Sequence, residues 1–168
     1  MDIKNVGVVG CGLMGRGITE VSAKAGYNVV VSEINQELLD KGLAAIDRSL
    51  SKAVEKGKST KEDKELALGR IKGTISREDF KDCDIVIEVV PEKMEMKKEM
   101  FSALDRICPP DTILASNTSS LSILDMAVAT KRPDKVVGLH FFQPVPVMRP
   151  IELVVSIVSG EETVKTAR

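Results

Sequence analysis

Gly10-Cys11-Gly12-Leu13-Met14-Gly15 is the stretch of sequence that decides the fold. A short apolar run, Ile3 to Val9, precedes it, and an amphipathic run, Leu13 to Ala25, follows it. A strand, a glycine-rich turn and a helix in this order are typical of the first crossover of a parallel α/β sheet. The first glycine allows the tight turn, the second leaves room for a ligand at the backbone, and the third lets the helix pack closely on the strand.

The second apolar run ends at an acidic residue. Asn28 to Ser32 is followed by Glu33, which lies 23 residues after Gly10. In dinucleotide-binding units an acid about 20 residues on binds the ribose hydroxyls of the adenosine. A carboxylate repels a 2′-phosphate, and Ile34 and Asn35 offer no arginine to accept one, so the pattern favours NAD over NADP. The alternative is a glycine-rich turn that binds nothing. The residues predicted to line the cofactor site are Gly10, Gly12, Leu13, Met14, Gly15 and Glu33.

Composition excludes several classes of protein. The chain has 168 residues, of which 43% are hydrophobic and 29% charged, and a net charge of −1, as expected for one globular domain. With interspersed charges, four Phe, one Tyr and no Trp, we expect no binding to nucleic acid or to a membrane surface. No apolar stretch reaches the roughly 18 residues of a membrane span, and we expect no signal peptide.

Cysteine and histidine usage points to a cytoplasmic protein without a metal site. Cys11, Cys83 and Cys108 are odd in number and widely spaced, which fits a reducing compartment rather than a disulfide framework. Cys11 is interpreted as a small filler of the glycine turn, although a reactive thiol is an alternative. His140 is the only histidine, so a zinc site with two histidines is excluded.

Short β-branched runs alternate with helical patterns along the chain. The alternation predicts an α/β fold with a doubly wound, mostly parallel, Rossmann-type sheet. A charged helical excursion, Glu55 to Leu66, is expected after the second strand. The predicted strands are Val6–Val9, Asn28–Val31, Arg70–Ile75, Asp84–Val90, Thr112–Ala115, Val136–Phe142 and Ile151–Val158, and the predicted helices after the first are Gln36–Glu55, Lys97–Ile107 and Ile123–Ala129. A last helix begins near Gly160 and the chain stops at Arg168 in its second turn, so we expect a fragment of a longer chain.

His140 is the residue best placed for proton transfer. It lies at the carboxyl end of the run Val136 to Leu139, and ligands of open parallel sheets bind outside the carboxyl ends of strands. Glu152 follows 12 residues later, after a loop containing three prolines. A strand that returns at Ile151 would place this carboxylate beside the imidazole and stabilise its charged form. A structural histidine near an unrelated surface glutamate is the alternative.

Two further groups of polar residues follow predicted strands. Ser116 to Ser120, Ser-Asn-Thr-Ser-Ser, comes after Thr112–Ala115 and would hydrogen-bond a substrate or the nicotinamide ribose, or simply cap the next helix. Glu88 and Glu92 flank Pro91 and either face the cofactor or favour the start of a helix.

Three motifs together resemble the L-3-hydroxyacyl-CoA dehydrogenases, including 3-hydroxybutyryl-CoA dehydrogenase, over essentially the whole chain. They are Gly10 to Gly15, Ser116 to Ser120, and His140-Phe141-Phe142-Gln143-Pro144-Val145-Pro146-Val147-Met148. The last two are far more specific than the glycine turn. The resemblance implies reversible, NAD-dependent oxidation of an L-3-hydroxyacyl-CoA to a 3-ketoacyl-CoA.

The same resemblance implies a role for individual residues. His140 matches the catalytic acid-base and Glu152 its partner, while Ser119 matches the serine that contacts the 3-oxygen and the cofactor. Further matches to positions that approach NAD are Glu92, Lys97 and Gln143. Ser49 and Lys56 match helix positions that contact coenzyme A, and their spacing of seven places them on one helix face.

The chain also departs from this family. Gln143 stands where the family usually has Asn, so its amide lies farther out. The family continues into a helical C-terminal domain that forms the homodimer and closes the cleft, and that domain is absent from residues 1–168. An isolated NAD-binding module with little activity is therefore an alternative, as is a dehydrogenase acting on a free 3-hydroxy acid or on a 6-phosphogluconate-like substrate.

Overall fold

A seven-stranded sheet organises the structure, a computed structural model that describes residues 2–168. The strands are β1 Asn5–Val9, β2 Asn28–Ser32, β3 Ile71–Thr74, β4 Ile85–Glu88, β5 Ile113–Ser116, β6 Val136–Phe141 and β7 Ile151–Val154. The helices are α1 Leu13–Lys24, α2 Gln36–Glu55, α3 Lys61–Gly69, α4 Met94–Ile107, α5 Ile123–Ala127 and α6 Glu161–Ala167. Two short 3₁₀ segments, Arg77–Asp82 and Pro133–Lys135, complete the order.

The strand order creates a crevice at the centre of the sheet. The order is β3-β2-β1-β4-β5-β6-β7, with β1 to β6 parallel and β7 antiparallel to β6. The chain first winds outward from β1 to β3 and then returns to place β4 on the other side of β1. Such a reversal opens a ligand crevice above the carboxyl ends of β1 and β4. The predicted doubly wound, mostly parallel α/β fold is confirmed.

Two hydrophobic cores lie on the two faces of the sheet. Along β4, Ile85 and Ile87 belong to one core and Val86 to the other, as the alternation of strand side chains requires. Ile18, Ile46 and other side chains of α1, α2 and α3 cover the first face. The second face is covered by α4 and α5, whose buried side chains include Phe101, Leu104 and Met126. Helices on both faces explain why the strands are continuously apolar.

The structure adjusts several predicted boundaries. The charged segment forms α3, which begins at a capping box between Thr60 and Asp63. The 3₁₀ segment Arg77–Asp82 is missing from the sequence prediction. Ile151–Val158 was predicted too long as a strand, because pairing with β6 ends at Val154. Beyond it the Ser159 hydroxyl donates to the carbonyl of Val136 at 2.7 Å, and the chain turns away from the sheet.

Glu20 of α1 is a buried carboxylate, 3% exposed. Burial raises its pKa, and the Ser49 hydroxyl and the Lys24 ammonium only partly oppose that effect. A raised pKa means that the charged form is penalised in the folded state, so this cost is present at neutral pH and disappears when the group is protonated in both states. We expect Glu20→Gln to raise the free energy of unfolding at neutral pH and to lose this advantage in acid. Urea titrations at both pH values, with exposed Glu65→Gln as control, check this; an advantage that is independent of pH contradicts it.

Candidate functional site

The glycine turn has the shape that a pyrophosphate requires. Gly10 has φ +102°, a left-handed conformation that L side chains rarely adopt. A Cβ on Gly15 would lie 1.8 Å from the carbonyl oxygen of Gly10, so only glycine allows α1 to pack this closely. A Cβ on Gly12 would meet no atom within 4 Å, because this residue faces open space at the N-terminus of α1. These residues therefore fit a dinucleotide phosphate, which binds at a helix N-terminus.

Glu33 lies beside the same turn. Its Oε1 accepts a hydrogen bond from the backbone N–H of Cys11 at 2.7 Å, and its Oε2 accepts from the N–H of Ile34 at 3.0 Å. Two backbone donors thus fix the carboxylate at the end of β2, next to the crevice. Leu13, 52% exposed, and half-buried Met14 border the turn on the helix side. The predicted adenosine-side residues are therefore grouped at one edge of the sheet.

Cys11 is a packing residue rather than a reactive one. It is 3% exposed, and its Sγ would lie 2.4 Å from a Cβ built on Gly42 of α2. Burial, followed by the nearby charge of Glu33, raises the pKa of the thiol to about 11. A thiol that is protonated at neutral pH is a poor nucleophile, which supports the interpretation of Cys11 as a filler.

Gly12 and Gly15 have different surroundings, so alanine substitutions at the two positions should have different effects. We expect Gly12→Ala to leave the free energy of unfolding within about 0.5 kcal/mol of wild type, as for a surface change, and to weaken NAD binding at least tenfold, about 1.4 kcal/mol. Gly15→Ala should destabilise the fold, because its Cβ meets backbone. Urea unfolding and NAD titration measure the two quantities. Equal destabilisation by both variants would contradict the geometry.

His140 and Glu152 are joined across the β6–β7 ladder. The register pairs them directly, and the imidazole Nδ1 lies 2.8 Å from Oε2 of Glu152. The histidine side chain is 20% exposed and the glutamate side chain 61%. Phe142 packs on the imidazole with ring centroids 4.7 Å apart. When the ring is neutral, Nδ1–H donates to the carboxylate and Nε2 is left with a free lone pair.

A buried ion pair lies under the ends of β4 and β5. The Lys97 ammonium is 2.7 Å from Oε1 of Glu88 and 3.3 Å from Oε2 of Glu92. Glu88 and Lys97 are 0% and 1% exposed, and Glu88 also accepts a hydrogen bond from the Ser116 hydroxyl at 2.7 Å. Lys97 was predicted to approach the cofactor, but its ammonium is enclosed by protein groups. Its contacts are the carboxylates of Glu88 and Glu92 and the carbonyl of Val90.

Glu92 connects this ion pair to the surface. Burial raises its pKa, but a hydrogen bond from the Thr118 hydroxyl and the charge of Lys97 outweigh that effect, so its pKa lies below the usual range. The Thr118 oxygen also accepts the N–H of Leu121 at 3.0 Å. Thr118 thereby shapes the turn on which exposed Ser119 lies. Sequence reasoning gave Thr118 no separate role, although a hydroxyl one turn before a helix is a recognisable capping signal.

The remaining predicted residues are more dispersed. Gln143 is exposed in the loop after β6, and buried Val145 of that loop packs against Gly17 of α1. Ser49 lies on α2, which contacts α1, α3 and β3, and Lys56 is the C-cap residue of this helix. At 1.5 Å per residue, Ser49 lies roughly 20 Å along the helix from Gln36. The two predicted coenzyme A positions therefore lie toward the C-terminal end of α2, away from its first turn.

Comparison with known proteins identifies the family. The family model described as "3-hydroxyacyl-CoA dehydrogenase, NAD binding domain" matches residues 5–168. The chain belongs to this family. The description of the family names NAD, so NAD is the cofactor of this 3-hydroxyacyl-CoA dehydrogenase domain.

Individual relatives agree with this membership. The 3-hydroxybutyryl-CoA dehydrogenase of Clostridioides difficile is 47% identical over 158 residues, covering 94% of this chain and 55% of that protein. A 3-hydroxyadipyl-CoA dehydrogenase of Escherichia coli is 39% identical, covering 98% of this chain and 35% of that protein. The crystal structure of (S)-3-hydroxybutyryl-CoA dehydrogenase from Ralstonia eutropha superimposes with a TM-score of 0.97 at 42% identity, over 99% of this chain and 59% of that one. The 3-hydroxyacyl-CoA dehydrogenase domain thus spans little more than half of these 3-hydroxybutyryl-CoA dehydrogenases.

Proposed function

We propose that this 3-hydroxyacyl-CoA dehydrogenase domain takes part in the reversible, NAD-dependent oxidation of an L-3-hydroxyacyl-CoA to a 3-ketoacyl-CoA. The observation that supports it best is the hydrogen bond between His140 and Glu152 at the carboxyl edge of a sheet that belongs to this family. NAD, when bound in the crevice, supplies the acceptor for the hydride that leaves C3. The chain supplies the groups that hold the substrate and remove its proton.

The proton leaves through the imidazole. Nδ1 of His140 is occupied by Glu152, so Nε2 is the atom that takes the proton from the 3-hydroxyl group. The carboxylate of Glu152 stabilises the imidazolium that results, and it fixes the plane of the ring. Ser119, exposed at the end of β5, hydrogen-bonds the alcohol oxygen in this proposal. In the reverse direction His140 returns the proton to the carbonyl oxygen.

The cofactor and coenzyme A contacts are proposed as follows. Glu33 binds the adenosine ribose beside the glycine turn, and Glu92, anchored by buried Lys97, faces the nicotinamide half. Gln143, on the exposed loop after β6, reaches toward the same half. Ser49 and Lys56 bind the coenzyme A moiety along α2.

Exposed apolar side chains lie on β7 and on the segments that flank it. Ile151 is 50% exposed, Val155 50%, Ile157 92% and Val147 73%. Exposed apolar patches of this kind mark interaction surfaces. We propose that a helical C-terminal domain, supplied by the remainder of a longer protein, covers β7 and forms the homodimer. By itself, the chain would then be an NAD-binding module with little turnover, which its partial coverage of the relatives favours.

The proposed compartment is the cytoplasm. Cys11, Cys83 and Cys108 are all free and buried, as is usual for proteins of reducing compartments. Among the described residues no helix has both the length and the apolar character to cross a membrane.

One paired assay tests the proposal. NAD binding is titrated on the 168-residue chain, and acetoacetyl-CoA reduction by NADH is measured on the same chain and on a form extended by the helical domain. We expect binding in both forms and turnover mainly in the extended one. Free coenzyme A should compete with substrate. Lys56→Ala should weaken the binding of a coenzyme A thioester but not the binding of a substrate without coenzyme A. Turnover of a free 3-hydroxy acid that coenzyme A does not inhibit would overturn the substrate assignment.

A further inference from the structure

The pairing between β5 and β6 ends before β6 reaches His140. Its last register pair is Ser116 with Gly138, whereas His140 and Phe141 lie farther along β6. On the other side of β6, the pairing with β7 continues through Phe141. The segment that holds the imidazole therefore has a ladder partner on its β7 side and, on its β5 side, needs another acceptor for the backbone N–H groups.

The side chain of Asn117 supplies that acceptor. Its Oδ1 accepts the backbone N–H of Phe141 at 2.8 Å, next to His140 in the chain. The backbone N–H of Asn117 donates in turn to the carbonyl of Glu88 at 3.0 Å. One residue thus joins the carboxyl ends of β4, β5 and β6, above the buried ion pair of Glu88 and Lys97.

We propose that Asn117 is a positioning residue for His140. Its amide carbonyl acts as an additional rung of the β5–β6 ladder and fixes the backbone on which the imidazole stands opposite Glu152. From the sequence, the polar residues after β5 were expected to bind substrate or cofactor or to cap the next helix; in the structure the side-chain oxygen of Asn117 instead accepts a hydrogen bond from β6. The consequence for turnover rests on the proposed function, whereas the structural role does not.

The first test measures turnover in the form extended by the helical domain. Asn117→Leu keeps the approximate volume and removes the acceptor, and Asn117→Asp keeps an acceptor oxygen. We expect Asn117→Leu to lower kcat roughly 10- to 100-fold, as for a small displacement of a catalytic group, with NAD affinity within about twofold of wild type, which is under 0.5 kcal/mol. Asn117→Asp should recover most of the loss. A normal kcat in Asn117→Leu, or an equal loss in Asn117→Asp, would overturn the proposal.

The second test needs no turnover, so it separates this proposal from the proposed function. His140 is the only histidine of the chain, and its imidazole ¹⁵N signals are therefore unambiguous in the 168-residue form. We expect the neutral ring of wild type to be protonated mainly at Nδ1 and Asn117→Leu to show a mixture of tautomers. The Phe141 amide should exchange slowly in wild type and at least about tenfold faster in the variant.

Fast exchange of the Phe141 amide in wild type contradicts the proposal even if Asn117→Leu fails to fold. Absence of turnover in the extended wild-type form refutes the proposed function alone.

Discussion

His140→Gln is expected to lower kcat by about 10² to 10⁴-fold, the usual contribution of a positioned acid-base group. Glutamine occupies a similar volume and can still hydrogen-bond Glu152. Its amide nitrogen, unlike the imidazole Nε2, has no basic lone pair that could take the proton. Because Glu33 and the glycine turn lie at the far side of the crevice, NAD affinity should change little. Steady-state kinetics with acetoacetyl-CoA and NADH, together with an NAD titration, measure both effects on the extended form.

The matched control is Glu152→Gln, which keeps the hydrogen bond to Nδ1 and removes the charge. We expect a smaller loss of kcat than in His140→Gln, since the proton acceptor is still present. Turnover in His140→Gln equal to wild type would remove the imidazole from the mechanism. A large loss of NAD affinity would instead indicate that the substitution had disturbed the end of β6.

Lys97→Met is expected to cost about 3–5 kcal/mol of the free energy of unfolding, the range found when one partner of a buried ion pair is removed. Glu88 is 0% exposed, so its charge cannot be hydrated after the ammonium is lost. The loss is a large share of the roughly 5–15 kcal/mol that stabilises a typical domain. Urea titration followed by circular dichroism measures it.

A double variant and a control variant help to interpret the result for Lys97→Met. Glu88→Gln combined with Lys97→Met removes both charges and keeps an acceptor for the Ser116 hydroxyl, so we expect much of the stability to return. Lys41→Met changes an exposed lysine of α2 and should be nearly neutral. If Lys97→Met were as mild as Lys41→Met, Glu88 would have to be protonated or hydrated in the folded state.

The sequence predicts the fold well because its signals are local. The glycine turn, the β-branched runs and the helical spacing of Gln36–Glu55 each depend on neighbouring residues, and the structure confirms the sheet that they imply. The end of β7 was predicted less well, because Val155 and Ile157 are as apolar as a strand requires. After Val154 a turn joins Ser156 and Ser159, and the Ser159 hydroxyl also donates to the carbonyl of Val136, a tertiary contact that the apolar pattern does not indicate.

The same distinction between local signals and tertiary contacts applies to the candidate site. The spacing of His140 and Glu152 indicates a hairpin that brings them together, and the structure places them 2.8 Å apart. The role of Asn117 was not foreseeable, since it depends on which strand end lies next to the turn after β5, whereas the local capping contacts of Thr118 could have been recognised. The enclosure of Lys97 was not foreseeable either, because a lysine near a helix start is usually exposed.

The antiparallel pairing of β6 and β7 also limits how the register of β7 can vary. Side chains alternate between the two faces of a strand, so a shift of register by one residue sends every side chain of β7 to the opposite face. A shift of β7 by one residue would therefore turn Glu152 away from the imidazole, whereas an insertion between Phe142 and Pro150 lies outside the ladder and can be absorbed by the loop. Homologues can thus differ in the length of this loop and still keep a carboxylate opposite the histidine, provided that the alternation along β7 is preserved.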